Sequence, residues 1–134
     1  MSFELTGNLL SEEYYKFDNK NKIVELNEND LKRIINNETT IKIKFPYGIN
    51  GIMSEIHEYS IDKLNVGNLI EIIKDFYNSE FLDEEKEKIY TESMELGESL
   101  ENLYIRKDVL TYTNQCFLEE IEYENGVYIL RTGS

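Results

Sequence analysis

The chain is poor in the residue types that form disulfides, metal sites and catalytic centres: its 134 residues include one cysteine, one histidine, one proline and no tryptophan. The single cysteine, Cys116, cannot form a disulfide within the chain, which is typical of proteins from the cytoplasm or another reducing compartment. The single histidine, His57, falls short of a zinc site, which takes roughly three or four protein ligands. We therefore expect no metal.

Long hydrophobic runs and signature loops are also missing. No apolar run approaches the roughly 18 residues of a transmembrane helix, so we expect no membrane association, and Met1–Gly7 lacks the basic and apolar regions of a secretory signal peptide. The loop after Asp18 has lysines where a calcium loop needs carboxylates. Gly48–Gly51 lacks the Gly-Lys-Ser/Thr end of a phosphate loop, and Gly97–Glu101 ends in glutamate where a nucleophile elbow needs glycine. The sequence therefore predicts no bound cofactor.

Basic residues are outnumbered by acidic residues, 14 against 27, which gives a net charge of −13 and an isoelectric point near 4.5. This charge repels nucleic acid and anionic lipid and argues against direct binding of either. A basic protein partner is compatible with it, and so is an acidic surface that serves solubility alone. The most acidic segment runs from Asp83 to Glu101, with eight acids and two lysines. Its candidate partner-binding residues are Asp83, Glu84, Glu85, Glu87 and Glu92.

The strongest structural signal is an amphipathic helix over Asn65–Asn78. Its apolar side chains recur at helical spacing and form one stripe, which consists of Val66, Leu69, Ile70, Ile73, Phe76 and Tyr77. Asn65 is placed to cap the first turn by accepting a backbone N–H. At roughly 1.5–3 kcal/mol for each fully buried large side chain, this stripe outweighs any surface ion pair, so we expect the rest of the chain to pack around it.

Other segments carry strand, helix and turn patterns. They predict a hairpin over Tyr14–Leu26 with a helix from Ser11 as the alternative, a short helix over Asn27–Asn37, strands over Thr40–Phe45 and Ile52–Tyr59, a helix from Asp83 that ends near Gly97, and a hairpin of Gln115–Tyr123 and Val127–Arg131. Leu31, Ile34 and Ile35 are expected to form the apolar face of the short helix, and Asn125-Gly126 is the strongest hairpin signal. The fold class is therefore α+β: a single domain of residues 1–134, with mostly antiparallel hairpins packed on Asn65–Asn78 and one or two further helices.

The stretch Asn65–Lys74 resembles the helix signature Thr-Val-x-Asp-Val-Leu-x-x-Ile-Tyr of a small fungal and viral domain of unknown function. Asn65 and Asn68 stand where that signature has threonine and aspartate, which keeps the capping capacity. Residues that match the tail of that domain follow in the same order: Arg106, Asp108, Leu110, Phe117, Leu118 and Val127–Leu130. The resemblance implies a compact domain of mixed helices and strands and brings no assigned activity.

His57 and Cys116 are the residues with catalytic potential. His57 is the default general base, and the strand pattern places Glu55 and Tyr59 on its face. A surface or edge histidine is the more common case. Cys116 would act as a nucleophile only beside His57, and a buried structural cysteine is the more common case.

Three functions are compatible with these observations. The first is a non-enzymatic protein–protein interaction module of an intracellular protein, because no catalytic set is present and tyrosine-rich, acidic surfaces suit interfaces. The second is an acidic mimic of nucleic acid that inhibits a basic partner through the segment from Asp83 to Glu101. The third is an enzyme of unknown reaction, which a deep pocket lined by His57 and several carboxylates would favour. The abundance of lysine, asparagine and isoleucine is typical of an AT-rich genome, such as that of a virus, and the oligomeric state cannot be read from the sequence.

Overall fold

The computed structural model describes residues 2–3, 5–9, 13–17, 23–46, 54–95 and 103–133. Within these ranges lie ten strands and four helices. In chain order they are β1 (Ser2–Phe3), β2 (Thr6–Asn8), β3 (Glu13–Phe17), β4 (Ile23–Glu25), α1 (Glu28–Lys32), β5 (Ile34–Asn36), β6 (Thr40–Phe45), β7 (Glu55–Ser60), β8 (Leu64–Asn65), α2 (Val66–Asn78), α3 (Asp83–Glu95), α4 (Arg106–Thr113), β9 (Phe117–Glu124) and β10 (Val127–Gly133).

Eight of the described strands form one sheet in the order β4-β3-β2-β9-β10-β6-β7, with β1 paired to β9 alongside β2. All of these pairs are antiparallel except β10 with β6, which is parallel. β5 and β8 form a separate antiparallel pair. The predicted α+β fold with mostly antiparallel strands is confirmed.

The helix α2 matches its prediction closely. All six predicted stripe residues are buried, from Val66 to Tyr77, and the Asn65 side chain caps the helix by accepting from the backbone N–H of Asn68 at 2.7 Å. Phe76 of this stripe stacks on Phe45 of β6 with ring centroids 3.8 Å apart. The helix therefore seals the sheet at β6, as its amphipathic pattern predicts.

The strands β6 and β7 lie at one border of the sheet, and the burial pattern of β6 alternates. In β6, Ile41, Ile43 and Phe45 are buried while Lys42 is exposed, as predicted for a half-buried strand. β7 returns antiparallel beside it and pairs over Glu55–Ser60. The predicted strand began at Ile52, which lies outside the described residues.

Both predicted hairpins are present. β3 and β4 pair antiparallel, so the alternative helix from Ser11 is wrong; the turn at residues 18–22 lies outside the described part of the chain. β9 and β10 pair through Asn125 and Gly126, whose φ angles of 52° and 80° are those of a type I′ turn. Asparagine and glycine adopt such angles at little cost, which is why this pair predicts the hairpin.

Two segments differ from their predictions. The short helix ends at Lys32 and not near Asn37, because Arg33 adopts an extended conformation and Ile34 enters β5. Ile34 is 46% exposed, so the expected apolar face of Leu31, Ile34 and Ile35 does not form. The helix α4 is not predicted by the sequence pattern; only Val109 and Leu110 among its apolar side chains are buried, too few for a helical stripe.

Candidate functional site

An open groove of about 690 Å³ lies where the edge strand β7 meets the end of α2 and the start of α3. We call it the β7–α3 groove. Its walls come from β7, α2, α3 and the α2–α3 connection, and α4 contributes one residue. The lining residues are Glu55, His57, Tyr59, Ile72, Asp75, Phe76, Ser79, Glu80, Leu82, Glu84, Glu85 and Arg106.

The β7 wall follows directly from the pairing of β7 with β6. His57 lies opposite Ile43 and Glu55 opposite Phe45. Directly opposed residues in a sheet project to the same face, and Ile43 and Phe45 are buried under α2. The side chains of alternate β7 residues, Glu55, His57 and Tyr59, are therefore half-buried on the helix-covered face, where they border the groove.

Aromatic rings form the floor of the groove. The His57 ring meets Phe76 edge-on, with centroids 5.1 Å apart and planes at 63°, and lies 5.9 Å from Phe45. Phe76 in turn stacks on Phe45. The imidazole is thus held against an apolar surface.

His57 and Glu55 form a loose pair. The His57 Nε2 atom lies 3.5 Å from Glu55 Oε2, which is an ion-pair distance when the imidazole is protonated. Nε2 is buried and has no hydrogen-bond partner among the described residues. A nearby hydroxyl, Ser79 Oγ, donates to the Phe76 carbonyl at 2.7 Å and accepts from Arg106 at 2.9 Å. The Ser79 hydroxyl is therefore already engaged both as a donor and as an acceptor.

Arg106 closes the far corner of the groove. Its side chain is 6% exposed, and it donates to both carboxylate oxygens of Glu85 at 2.8 Å. It also donates to the Glu80 carbonyl at 2.7 Å. The guanidinium carbon lies 4.6 Å from the ring centroid of Phe76 and 4.4 Å from that of Phe81. These contacts connect the end of α2 with the starts of α3 and α4.

The groove is strongly acidic. Its lining residues include five carboxylates against one guanidinium, a formal charge of −4 with His57 neutral. Since Glu85 is held by Arg106, four lining carboxylates have no lysine or arginine partner among the described residues: those of Glu55, which lies beside His57, and of Asp75, Glu80 and Glu84. Burial raises the pKa of the Tyr59 hydroxyl; Arg106 opposes this rise and Asp75 adds to it. Tyr59 thus stays neutral and offers a hydroxyl beside the acids.

The five acidic residues predicted as partner-binding all lie on α3 but are not equivalent. Glu84 and Glu85 line the groove, while Asp83 and Glu87 are exposed outside its lining. Glu92 is half-buried, and its Oε2 has no hydrogen-bond partner among the described residues. Their part in binding stays a prediction.

The remaining candidates are not brought together. Cys116 is half-buried, its Sγ lies 3.9 Å from the Leu110 carbonyl, and it is not among the lining residues of the groove. In the part of the chain that the structure describes, no group of three or more histidine, cysteine, aspartate or glutamate side chains is arranged to hold a metal ion. No helix of that part combines the length and apolar composition needed to cross a membrane.

Comparisons with known proteins identify no relative. No family model matches the chain, and neither the curated proteins nor the solved structures contain a match. The resemblance of Asn65–Lys74 to a fungal and viral domain therefore stays an expectation.

Proposed function

We propose that the protein is a non-enzymatic protein-binding module that takes a basic segment of another protein into the β7–α3 groove. The observation that carries this proposal is the combination of these four carboxylates with an aromatic floor at an exposed border of the sheet. Lysine and arginine side chains suit such a groove, because their apolar stems pack on rings while their charged ends pair with carboxylates.

The geometry favours binding over catalysis. His57 and several carboxylates share one groove, which is the arrangement that would favour an enzyme. Yet catalysis needs a base within hydrogen-bond reach of a reacting group, and the one serine hydroxyl in the lining is engaged by Phe76 and Arg106. Binding needs only the charges and the apolar floor that are present.

A peptide of about nine residues that alternates lysine and threonine, labelled with a fluorophore, tests the proposal by fluorescence anisotropy. The groove variant carries Glu55→Gln, Asp75→Asn, Glu80→Gln and Glu84→Gln. At ~0.2–1 kcal/mol for each exposed pair, the four changes are worth roughly 0.8–4 kcal/mol, so we expect binding to weaken about fourfold or more.

A matched control variant removes the same number of charges elsewhere. Glu25, Glu38, Glu95 and Glu124 are all exposed and none lines the groove, so their replacement by glutamine should leave the affinity within about twofold. Equal losses in the two variants would mean that net charge and not the groove drives binding. Unchanged affinity in the groove variant would contradict the proposal.

A mimic of nucleic acid is the second candidate, and the exposed acids Asp83 and Glu87 of α3 favour it. Both lie outside the groove lining, so substitutions at these two residues distinguish the two candidate functions. We expect Asp83→Lys with Glu87→Lys to abolish binding to a basic partner if the protein is a mimic. The same pair of changes should weaken the lysine–threonine peptide only slightly if the groove is the binding site.

A further inference from the structure

The strand β7 is an open border of the sheet. It ends the strand order and pairs with β6 alone among the described residues. Its register with β6 continues over six residue pairs without a bulge. At the opposite border, β4 has three residues, so β7 offers the longer edge to an additional strand.

The direction of the free backbone groups follows from one hydrogen bond. The Ile61 N–H donates to the Thr39 carbonyl at 2.7 Å, just beyond the last pair of β6 and β7. Hydrogen-bonded and non-hydrogen-bonded pairs alternate along antiparallel strands. Every second residue of β7 therefore directs its N–H and C=O away from β6; these residues are Ile56, Glu58 and Ser60.

The composition of β7 selects what can pair there. Edges are commonly guarded by proline, charged side chains or a bulge. β7 has no proline and no bulge, and its charged residues are the acidic Glu55 and Glu58, which repel acidic strands but not basic ones. Two copies of β7 side by side would combine two acidic edges of like charge, which is unfavourable, whereas a basic strand would meet opposite charges.

An added strand would also reach the groove. It would lie about 4.8 Å beyond β7, with alternate side chains on the helix-covered face beside Glu55 and His57. These side chains would extend over the α2–α3 corner, toward the carboxylates of Asp75, Glu80 and Glu84. A strand with lysine or arginine at every second position would therefore be complementary in charge to both the β7 edge and the groove.

We propose that the partner segment binds as an extra β-strand along β7, with alternate lysine or arginine side chains directed into the β7–α3 groove. Backbone hydrogen bonds to Ile56, Glu58 and Ser60 would supply affinity, and the acidic groove would select basic side chains. This inference rests on the proposed function and names the form in which its ligand binds.

Backbone methylation of the lysine–threonine peptide tests strand addition with the unaltered protein. One peptide is N-methylated on its lysines and a second on its threonines, which removes alternate N–H donors and leaves all side chains in place. Lysines in the groove lie opposite Glu55, His57 and Tyr59. An antiparallel added strand then donates from its threonines, and a parallel one from its lysines.

We expect one methylated peptide to bind about tenfold or more weakly than the unmethylated peptide, and the other to bind within about twofold. Weaker binding of the peptide methylated on threonine would mean an antiparallel added strand, and weaker binding of the one methylated on lysine a parallel one. Equal affinity of all three peptides, or equal loss in both methylated ones, would overturn strand addition. The proposed function would still stand in that case if the groove variant weakened the unmethylated peptide, and it would fail separately if that variant had no effect.

Discussion

Arg106 is a buried cation whose charge is matched by Glu85 and whose faces lie against Phe76 and Phe81. Truncation of one member of a buried ion pair leaves the other charge buried and uncompensated, at a cost of roughly 3–5 kcal/mol. We therefore expect Arg106→Met to lower the free energy of unfolding by about this amount, as measured by urea denaturation.

Arg131 is a matched control for Arg106. It pairs with Glu122 at 3.0 Å, but its side chain is 50% exposed, so Arg131→Met should cost no more than about 1 kcal/mol. The double change Arg106→Met with Glu85→Met should recover much of the loss of the single change. A loss below about 1 kcal/mol in Arg106→Met would contradict the description of Arg106 and Glu85 as a buried ion pair that stabilises this corner.

Asp30 should give the stability a defined pH dependence. Its carboxylate accepts from the backbone N–H of Asn27 at 2.9 Å and from Lys16 at 2.5 Å, and these bonds hold its pKa below the ordinary 3.8. A carboxyl with a lowered pKa stabilises the fold above its ordinary pKa, and this contribution is lost as the pH falls through the lowered value.

The comparison of the wild type with Asp30→Asn isolates this contribution. We expect the wild type to be the more stable of the two from neutral pH down to about pH 4, with the difference vanishing in stronger acid. Urea denaturation over a series of pH values provides the measurement. A difference that stays constant into strong acid would mean that Asp30 acts through shape and not through charge.

Single residues of the site were only partly predictable. Strand alternation predicts that His57, Glu55 and Tyr59 share one face. The acidic composition of their segment marks Glu84 and Glu85 as candidate binding residues. Arg106, Asp75 and Glu80 were missed, because each joins the groove through packing between separate elements and not through local sequence spacing. For Arg106 the sequence offers its match to the tail of the resembled domain and its position directly after the apolar segment Leu103–Ile105, and neither indicates a partner in α3.

The strand β7 has two kinds of position, and proline distinguishes them. His57 N–H points to β6, whereas Glu58 N–H points away from it, so proline at 57 removes a ladder bond and proline at 58 removes none. We expect His57→Pro to cost about 3 kcal/mol or more and Glu58→Pro about 1 kcal/mol, measured by thermal or urea unfolding. His57→Gln and Glu58→Gln are the matched controls for the lost side chains. Equal costs at the two positions would contradict the inferred register.

Elements were predictable where one pattern dominated. The stripe of α2, the alternation of β6 and the Asn125-Gly126 turn each fix a local conformation that burial then reinforces. The pattern does not predict α4, because Val109, Thr111 and Thr113 are β-branched residues that favour strands and no side chain caps its N-terminus. The spacing of Leu31, Ile34 and Ile35 predicts helix for β5, but tertiary pairing with β8 decides its conformation.

At the scale of the whole molecule, the net charge of −13 provides a long-range attraction for a basic partner. Raising the salt concentration from about 0.1 M to about 1 M shortens the screening length from about 10 Å to about 3 Å. We expect the lysine–threonine peptide to bind the wild type about tenfold or more weakly in the higher salt, and the groove variant to show a smaller salt dependence. Identical salt dependence in the two proteins would place the electrostatic attraction outside the groove.

The most direct test of binding along β7 is amide hydrogen exchange, followed by NMR with and without the lysine–threonine peptide. The N–H groups of Ile56, Glu58 and Ser60 point outward in the free protein and should exchange rapidly there. An added strand predicts that these three amides become protected on binding, while His57 and Tyr59, already bonded to β6, change little. Unchanged exchange at the three outward amides, with protection confined to α3 or to the opposite border at β4, would contradict the account.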